Sequence, residues 1–390
     1  MPVPNPILVS VSCAPTAVTG GTGSTGTVYL TNPALAGGYV ITLSSNNAAA
    51  SVPASVTVPV GQTTATFPIA TIAVDAAVNV TITASDIQAS PTCSLTVNPA
   101  AVQSLTLNPT AVVGGSSSTG TVTLTGPAGP SGKVVSLSSS SPYATVPASV
   151  VIVANQSQAT ITVGTTPPMG SVTAIIRAFT GIVFANASLA ITALGLDTIL
   201  DTKDQPPNFV AAGYSFLLKL VSPPTFANKD ERWDIVTVFQ THAAGMQCGS
   251  LWFSTVAPAD FTYLGGQAHG GWATVQSSKV GQPIGSCIYF AVPFDASSDQ
   301  ITSLLIPYFT GAALAVREQN LKVGVRGSGL VCSTLKSLGL VDMTWLASDM
   351  TWQGSAGYTD YDIKQGAFVI VSGVGCNSNV LGSGRSGGLW

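Results

Sequence analysis

The stretch Ile288–Ala296, which reads IYFAVPFDA, indicates the class of the C-terminal fold. An apolar run of strand length ends in one carboxylate, Asp295, and a helix-like segment follows it. In a parallel α/β barrel, the carboxyl ends of the strands form the face that usually carries the active site. Pro293 stands two positions earlier, where a second acid could face the same way. The stretch therefore indicates a site with a single acid.

The region around this stretch alternates strand-like with helix-like segments. A helix is predicted over 300–316, because apolar residues recur there at spacings of three and four. The strand-like segments LKVGVRG, MTWLA and FVIVSGVG follow it. About seven or eight strands alternating with helices predict a small α/β (TIM-like) barrel.

The part of the chain before the barrel contains a duplication with a period of 94 residues. Pro15 matches Pro109, and the sequence VPAS recurs at Val52–Ser55 and Val146–Ser149. Within each unit, short segments of alternating polarity are separated by Gly, Pro, Asn and Ser, which is typical of antiparallel sandwiches. We therefore predict two all-β sandwiches over 1–100 and 101–193, a barrel over 194–380 and a Gly/Ser-rich tail over 381–390.

Charge and hydropathy patterning exclude several classes of protein. Only 7% of the residues are charged, and before residue 195 the charged residues are Asp75, Asp86, Lys133 and Arg177. No run of about 18 predominantly apolar residues predicts a membrane span, and the N-terminus lacks the pattern of a secretory signal. With no basic patch either, we expect a soluble protein that does not bind nucleic acid.

The phrase SVTVPVGQTTATFPI resembles the strand–turn–strand of bacterial and phage immunoglobulin-like (Ig-like) domains. That resemblance implies spacer or adhesive modules. The strands also lack the Lys and Glu residues that normally discourage edge-to-edge association. We therefore expect the modules to pack against copies of themselves or against a larger assembly.

The blocks LGLDTIL, GSCIYFAVPFDASSDQ, LKVGVRGSGLVC and SGVGCN resemble, in this order, the glycoside-hydrolase-like domains related to family 25 lysozyme-type barrels. The resemblance implies an acid on the first strand, which Asp197 matches. It implies FAVDFDA on the fourth strand, where Pro293 replaces the first acid and Asp295 remains. On the last strand, Cys376 and Asn377 stand where relatives carry an acid.

Glycoside hydrolysis generally needs two carboxyl groups, so Asp197 and Asp295 are the candidate catalytic residues. Each is alternatively a structural carboxylate at a strand end. The chain has two glutamates, Glu231 and Glu318, and both are expected in helices outside the barrel.

Five aromatic residues near strand ends or in the loops that follow them are candidate ligand-binding residues, because sugar rings stack on such side chains. Packing in the core or in a loop is the alternative for each. The five are Trp252, Trp272, Trp345, Trp352 and Tyr358.

Cys13 and Cys93 lie near the two ends of the first sandwich, where a disulfide is geometrically possible. The second unit has Leu107 and Ala187 at the matching positions, so the fold does not require the bridge. The other four cysteines lack CxxC spacing, and we predict neither a metal site nor a cofactor.

These patterns favour a structural or adhesive protein of a phage virion surface, either a decoration or a tail-associated protein. Its Ig-like modules would present a non-catalytic barrel to cell-surface glycans. Its partners would be other virion proteins or further copies of the chain, without membrane insertion. A bacterial cell surface is the alternative location. The alternative function is a peptidoglycan- or polysaccharide-degrading glycoside hydrolase that uses Asp197 and Asp295.

Overall fold

The computed structural model describes residues 5–222, 232–253, 257–382 and 384–390. The protein is mostly β, with 43% strand and 17% helix, so sheets and not helices define its architecture. Two units of two sheets each are followed by a closed barrel of eight strands. Among the helices of the described residues, none has the length and apolar character needed to cross a membrane.

The first unit has two sheets that enclose a common apolar core. In chain order its strands are β1 (Leu8–Ala14), β2 (Ala17–Thr19), β3 (Ser24–Leu30), β4 (Tyr39–Ser45), β5 (Ala50–Ser51), β6 (Ser55–Val58), β7 (Thr64–Thr71), β8 (Val78–Ser85) and β9 (Thr92–Asn98). The sheet orders are β1-β3-β7-β5 and β2-β9-β8-β4-β6, with β2 and β9 parallel. Residue alternation sends Val28 and Ile82 into the core, where both are fully buried.

The second unit repeats this arrangement around a core of its own. Its strands are β10 (Val102–Asn108), β11 (Ala111–Val113), β12 (Ser118–Leu124), β13 (Lys133–Ser139), β14 (Ala144–Thr145), β15 (Ser149–Ile152), β16 (Gln158–Thr165), β17 (Val172–Thr180) and β18 (Val183–Thr192). The sheet orders, β10-β12-β16-β14 and β11-β18-β17-β13-β15, match those of the first unit strand for strand. The duplicated sequence therefore folds into a duplicated structure.

The barrel contains β19 (Leu194–Asp197), β20 (Phe216–Leu220), β21 (Gln247–Trp252), β22 (Cys287–Ala291), β23 (Lys322–Gly327), β24 (Met343–Leu346), β25 (Ile363–Val371) and β26 (Val374–Leu381). Strands β19 to β25 pair in parallel, and β26 closes the ring by antiparallel pairing with both β25 and β19. Phe216, Tyr289 and Trp345 are fully buried in the apolar cluster that fills the lumen.

Helices cross between the first six barrel strands. They are α1 (Pro206–Ala211), α2 (Ile235–Ala243), α3 (Tyr263–Lys279), α4 (Ser298–Gln300), α5 (Ile306–Arg317) and α6 (Gly329–Ser337), with a 3₁₀ turn at Pro258–Asp260 and a π-helical segment, Ile301–Leu305, joining α4 to α5. A second apolar cluster lies between these helices and the outward-facing residues of the strands.

The expectation of a C-terminal α/β (TIM-like) barrel is wrong. Such a barrel requires eight parallel strands, each followed by a helix. Here β24 is joined to β25 by residues 347–362, which contain no helix, and β25 turns directly into β26. Ser372 and Gly373, both with positive φ, make that hairpin turn. Because a two-residue hairpin reverses the chain, the last strand is antiparallel.

Candidate functional site

A layer of five polar side chains covers the apolar lumen, level with the carboxyl ends of the parallel strands β19 and β23. Alternation along each strand places them there. On β23, for example, Val323 and Val325 pack in the outer cluster, so Arg326 faces inward. We call this group the polar layer. Its members are Asp197 on β19, Arg326 on β23, Gln365 on β25, and Asn377 and Asn379 on β26.

The carboxylate of Asp197 lies at the centre of the polar layer and accepts four hydrogen bonds from side-chain amides. Its Oδ1 accepts from Asn379 Nδ2 at 2.6 Å and from Gln365 Nε2 at 2.9 Å. Its Oδ2 accepts from Asn377 Nδ2 at 3.0 Å and from Gln365 Nε2 at 3.1 Å. Because a carboxylate has about four lone-pair sites, these amides occupy its whole accepting capacity.

The antiparallel strand β26 supplies two of the three amides. Asp197 pairs directly with Asn377 in the sheet, and Asn379 follows two residues later on the same face. A bulge between Gln365 and Phe368 interrupts the pairing of β25 with β26. Bulges re-aim neighbouring side chains, and here the bulge adjoins the residue that links Asp197 to the other side of the layer.

Arg326 is connected to Asp197 through Gln365. Its Nη2 donates to Gln365 Oε1 at 2.5 Å, and its guanidinium carbon lies 5.4 Å from the centroid of the Trp345 ring. Burial lowers the pKa of Arg326 from its ordinary value, while the negative charge of Asp197 opposes that shift. A guanidinium remains protonated in proteins, so the layer contains one positive and one negative charge.

One acceptor in the polar layer lacks a partner. Asn379 is fully buried, and among the described residues its Oδ1 receives no hydrogen bond. Buried polar atoms are nearly always paired, with protein or with ordered water. Because this oxygen is itself buried, it is enclosed by the barrel and does not face solvent.

Asp295 makes its side-chain hydrogen bond to a residue outside the polar layer. It is exposed, four positions after the end of β22, and its Oδ1 accepts from the backbone N–H of Gln353 at 2.9 Å. Within the described residues, no hydrogen bond joins it to Asp197. Pro293 continues the inward-facing series of β22 after Tyr289 and Ala291 and carries no ionisable group. Glu318 caps the far end of α5, and Glu231 lies outside the described residues.

The five candidate aromatic residues differ in exposure. Trp252 and Trp345 are 1% and 0% exposed, so their rings pack in the core and offer no stacking face. Trp272 is 49% exposed on α3. Trp352 and Tyr358 are partly buried in the segment between β24 and β25, where the Tyr358 hydroxyl donates to the carbonyl of Asp360 at 2.8 Å. A ligand-binding role for the last three stays a prediction.

The cysteines fall into two groups. Cys13 and Cys93 form a disulfide within the first unit. The other four, Cys248, Cys287, Cys332 and Cys376, are free and buried. Burial raises the pKa of Cys376 to about 11, which disfavours its reactive thiolate form. In the part of the chain that the structure describes, no group of three or more His, Cys, Asp or Glu residues is placed to hold a metal ion.

Arg326, Gln365 and Asn379 are functional candidates that sequence reasoning missed. The signal for Arg326 was present, because it is the only charged residue at the carboxyl end of LKVGVRG, in the inward-facing series with Gly324. Gln365 and Asn379 gave no such signal, since neutral amides near a hairpin are common and the bulge is invisible in the sequence.

Comparisons with known proteins identify the barrel region. Residues 208–374 match the family model described as the Rv2525c-like, glycoside hydrolase-like domain. A curated relative, the uncharacterized protein YbfG of Bacillus subtilis (strain 168), is 31% identical over 94 residues, which are 22% of this chain and 13% of that protein. The chain therefore spans a small part of that relative's length.

Two solved structures are similar to parts of the chain. The Tat-secreted protein Rv2525c of Mycobacterium tuberculosis, in complex with L-tartrate, is 20% identical with a TM-score of 0.43, over 48% of this chain and 95% of that one. The autolysin LytC of Streptococcus pneumoniae, in complex with a synthetic peptidoglycan ligand, is 10% identical with a TM-score of 0.36, over 48% and 46% of the two chains. The family match thus lies within the barrel, over residues 208–374, and does not extend to the two β units before it.

Proposed function

We propose that the barrel recognises cell-surface glycans without hydrolysing them. The observation that carries this proposal is the complete hydrogen bonding of Asp197 by three side-chain amides. A catalytic carboxyl group must accept a proton, donate one or attack the anomeric carbon. Each of these steps needs a lone pair that Asp197 has already committed to Asn377, Asn379 or Gln365.

The position of the other candidate acid supports the same proposal. Hydrolysis of a glycosidic bond uses two carboxyl groups that flank it at a defined separation. Asp295 is exposed and bonded to the backbone of Gln353, and Pro293 leaves the inward-facing series of β22 without an acid. The polar layer, by contrast, offers a group suited to binding, namely the partly exposed guanidinium of Arg326, which Gln365 holds in place.

The two β units, in this proposal, are Ig-like modules that present the barrel on a virion surface, as part of a decoration or tail-associated protein. The five-stranded sheets have the edge strands β6 and β15, which contain no charged residue. Val40 and Val134, at matching positions of the two units, are 62% and 61% exposed. Uncharged edge strands, and exposed valines on the neighbouring strands β4 and β13, favour association with other virion proteins or with copies of the chain. A bacterial cell surface would use the same features.

The experiment combines retention and hydrolysis on one set of glycans. Fluorescently labelled protein is applied to an array of bacterial surface glycans, and peptidoglycan suspensions are assayed for new reducing ends. We expect retention on the array and no release of reducing ends. The absence of retention on every glycan would contradict the proposal.

The second candidate function is a glycoside hydrolase, which the match to a glycoside hydrolase-like family favours. It predicts release of reducing ends that is lost in an Asp295→Asn variant. Such a result would replace binding with catalysis as the function of the barrel.

A further inference from the structure

Arg326 is the member of the polar layer whose bonding is least complete. Of the five N–H groups of its guanidinium, one donates to Gln365 Oε1, and no other hydrogen bond of this side chain is formed within the described residues. No carboxylate of the described chain lies within ion-pair distance of it. The remaining N–H groups of Arg326 are therefore available to a further acceptor.

The surroundings of Arg326 fix where that acceptor can be. Gln365 holds one edge of the guanidinium, and the Trp345 ring lies beneath it at 5.4 Å from the guanidinium carbon. The side chain is partly buried, so part of its surface remains exposed to solvent. A fixed, planar fork with free donors matches the two oxygens of a carboxylate.

Asp197 does not accept from the remaining N–H groups of Arg326, although it lies in the same layer. Its four lone-pair sites are occupied by amides, and it compensates Arg326 through space and through Gln365 only. A ligand anion can therefore take the direct contact without displacing Asp197.

We propose that Arg326 binds the carboxylate of an acidic sugar, so that the glycan recognised by the barrel carries uronic, muramic or sialic acid units. This inference rests on the proposed function, because it names the class of saccharide that the same site takes. Arg326 provides the charge, and Gln365 orients it.

The test compares acids with their neutral counterparts. Glycans that contain uronic, muramic or sialic acid are printed as free acids and as methyl esters, and the best-retained pair is then measured by calorimetry. The full chain is expected to bind the acid at least about tenfold more tightly than the ester, since hydrogen bonds between charged groups are the strong ones. Arg326→Gln should remove this preference.

A matched control comes from the same strand. Lys322 is exposed at the opposite end of β23, so Lys322→Gln removes an equal charge without touching the polar layer and should keep the preference. Arg326→Lys keeps the charge but loses the planar fork, and it should bind the acid more weakly than the natural chain. Thermal unfolding of each variant shows whether the barrel is intact.

The outcomes separate the two proposals. Equal binding of acids and esters, or an unchanged preference in a folded Arg326→Gln or Arg326→Lys variant, overturns the acidic-sugar site and leaves glycan recognition standing. Retention of phosphorylated glycans in preference to carboxylates also overturns it. Retention of no glycan at all overturns both proposals.

Discussion

Asp197 ends strand β19 and Asp295 follows strand β22, but their carboxylates accept very different numbers of hydrogen bonds. Asp197→Asn places an amide N–H₂ against three donors, and we expect it to destabilise the barrel by about 1–3 kcal/mol. Asp295→Asn affects one exposed hydrogen bond to Gln353 and should cost less than about 1 kcal/mol. Urea unfolding followed by tryptophan fluorescence measures this, because all six tryptophans lie after residue 230.

The losses of stability of Asp197→Asn and Asp295→Asn, compared with each other, test how much the amides around Asp197 contribute. Equal losses of stability would show that the amides around Asp197 contribute no more than the single bond of Asp295. The unfolding of the two β units, which contain no tryptophan, does not contribute to the signal.

His269 makes the stability of the barrel depend on pH. Its Nδ1 lies 2.9 Å from the Tyr308 hydroxyl, and burial lowers its pKa while Asp260 opposes the shift. Because the folded barrel disfavours the protonated form, the unfolded chain takes up the proton first as pH falls below about 6.5. The stability linked to His269 is therefore complete above that pH and is lost on acidification.

His269→Gln should reduce this loss. The free energy of unfolding of the barrel, measured by urea titration between about pH 7.5 and pH 5.5, is expected to fall less steeply in the variant. A variant that loses stability as steeply as the natural chain over this range would exclude His269 as the group responsible.

At the scale of single elements, helices α3 and α5 pack unusually closely through glycine. A Cβ added to Gly266 would overlap the backbone carbonyl of Tyr308, whereas one added to Gly271 would meet nothing within 4 Å. Gly266→Ala should therefore destabilise the barrel by about 1–3 kcal/mol through overpacking. Gly271→Ala, in the same helix, should stabilise it by about 0.5–1 kcal/mol.

Thermal unfolding of the two glycine variants tests the packing directly. Opposite shifts of the midpoint are expected, because helix propensity acts in the same direction at both positions and only the space around them differs. Two upward shifts would mean that α3 and α5 separate easily to admit the methyl group.

The strand and helix elements were largely predictable from the sequence, and their connections were not. Apolar residues at spacings of three and four gave the helix that ends at Arg317, although the π-helical turn Ile301–Leu305 inside it left no trace in the pattern. The hairpin of β25 and β26 has the alternation of any two strands. Nothing in that alternation distinguishes a parallel from an antiparallel neighbour, so FVIVSGVG was predicted as one strand although a turn at Ser372 and Gly373 divides it.

The candidate site shows the same limit. Asp197 was predicted because the resemblance to glycoside-hydrolase-like domains implies an acid on the first strand, which Asp197 matches. The amides that surround it come from a strand whose direction was not foreseen, and register alone brings Asn377 opposite Asp197. Long-range pairing therefore decides the chemistry of the site.

At the scale of the whole molecule, composition predicts a Gly/Ser-rich tail over 381–390. In the structure, the described residues of this segment pack against the barrel. Tyr289 donates its hydroxyl to the carbonyl of Gly387 at 2.8 Å, and Trp390 exchanges backbone hydrogen bonds with Cys248. Contacts made through glycine backbone leave no periodic pattern of side chains. Composition alone therefore could not reveal that this segment closes the end of the barrel opposite the polar layer.

The joint between the two β units orients one unit relative to the other. The three residues between β9 and β10 include Ala100, which is 3% exposed, so the connection is packed. Across the joint, Asp75 accepts from the Ser131 hydroxyl at 2.8 Å and from the Ser131 backbone N–H at 3.2 Å. Gly129 permits this approach, because a Cβ there would overlap the Asp75 carboxylate.

Asp75→Ala should loosen this joint while leaving each unit folded. Spin labels at Val40→Cys and Val151→Cys, which are 62% and 54% exposed on different units, report the distribution of distances between them. We expect a broader distribution in Asp75→Ala, since the bonds to Ser131 are lost. Asp86→Ala is the matched control, because Asp86 accepts from Tyr39 inside the first unit at 2.7 Å and should affect stability without broadening the distribution. An unchanged width in Asp75→Ala would mean that contacts other than Asp75–Ser131 fix the orientation of the units.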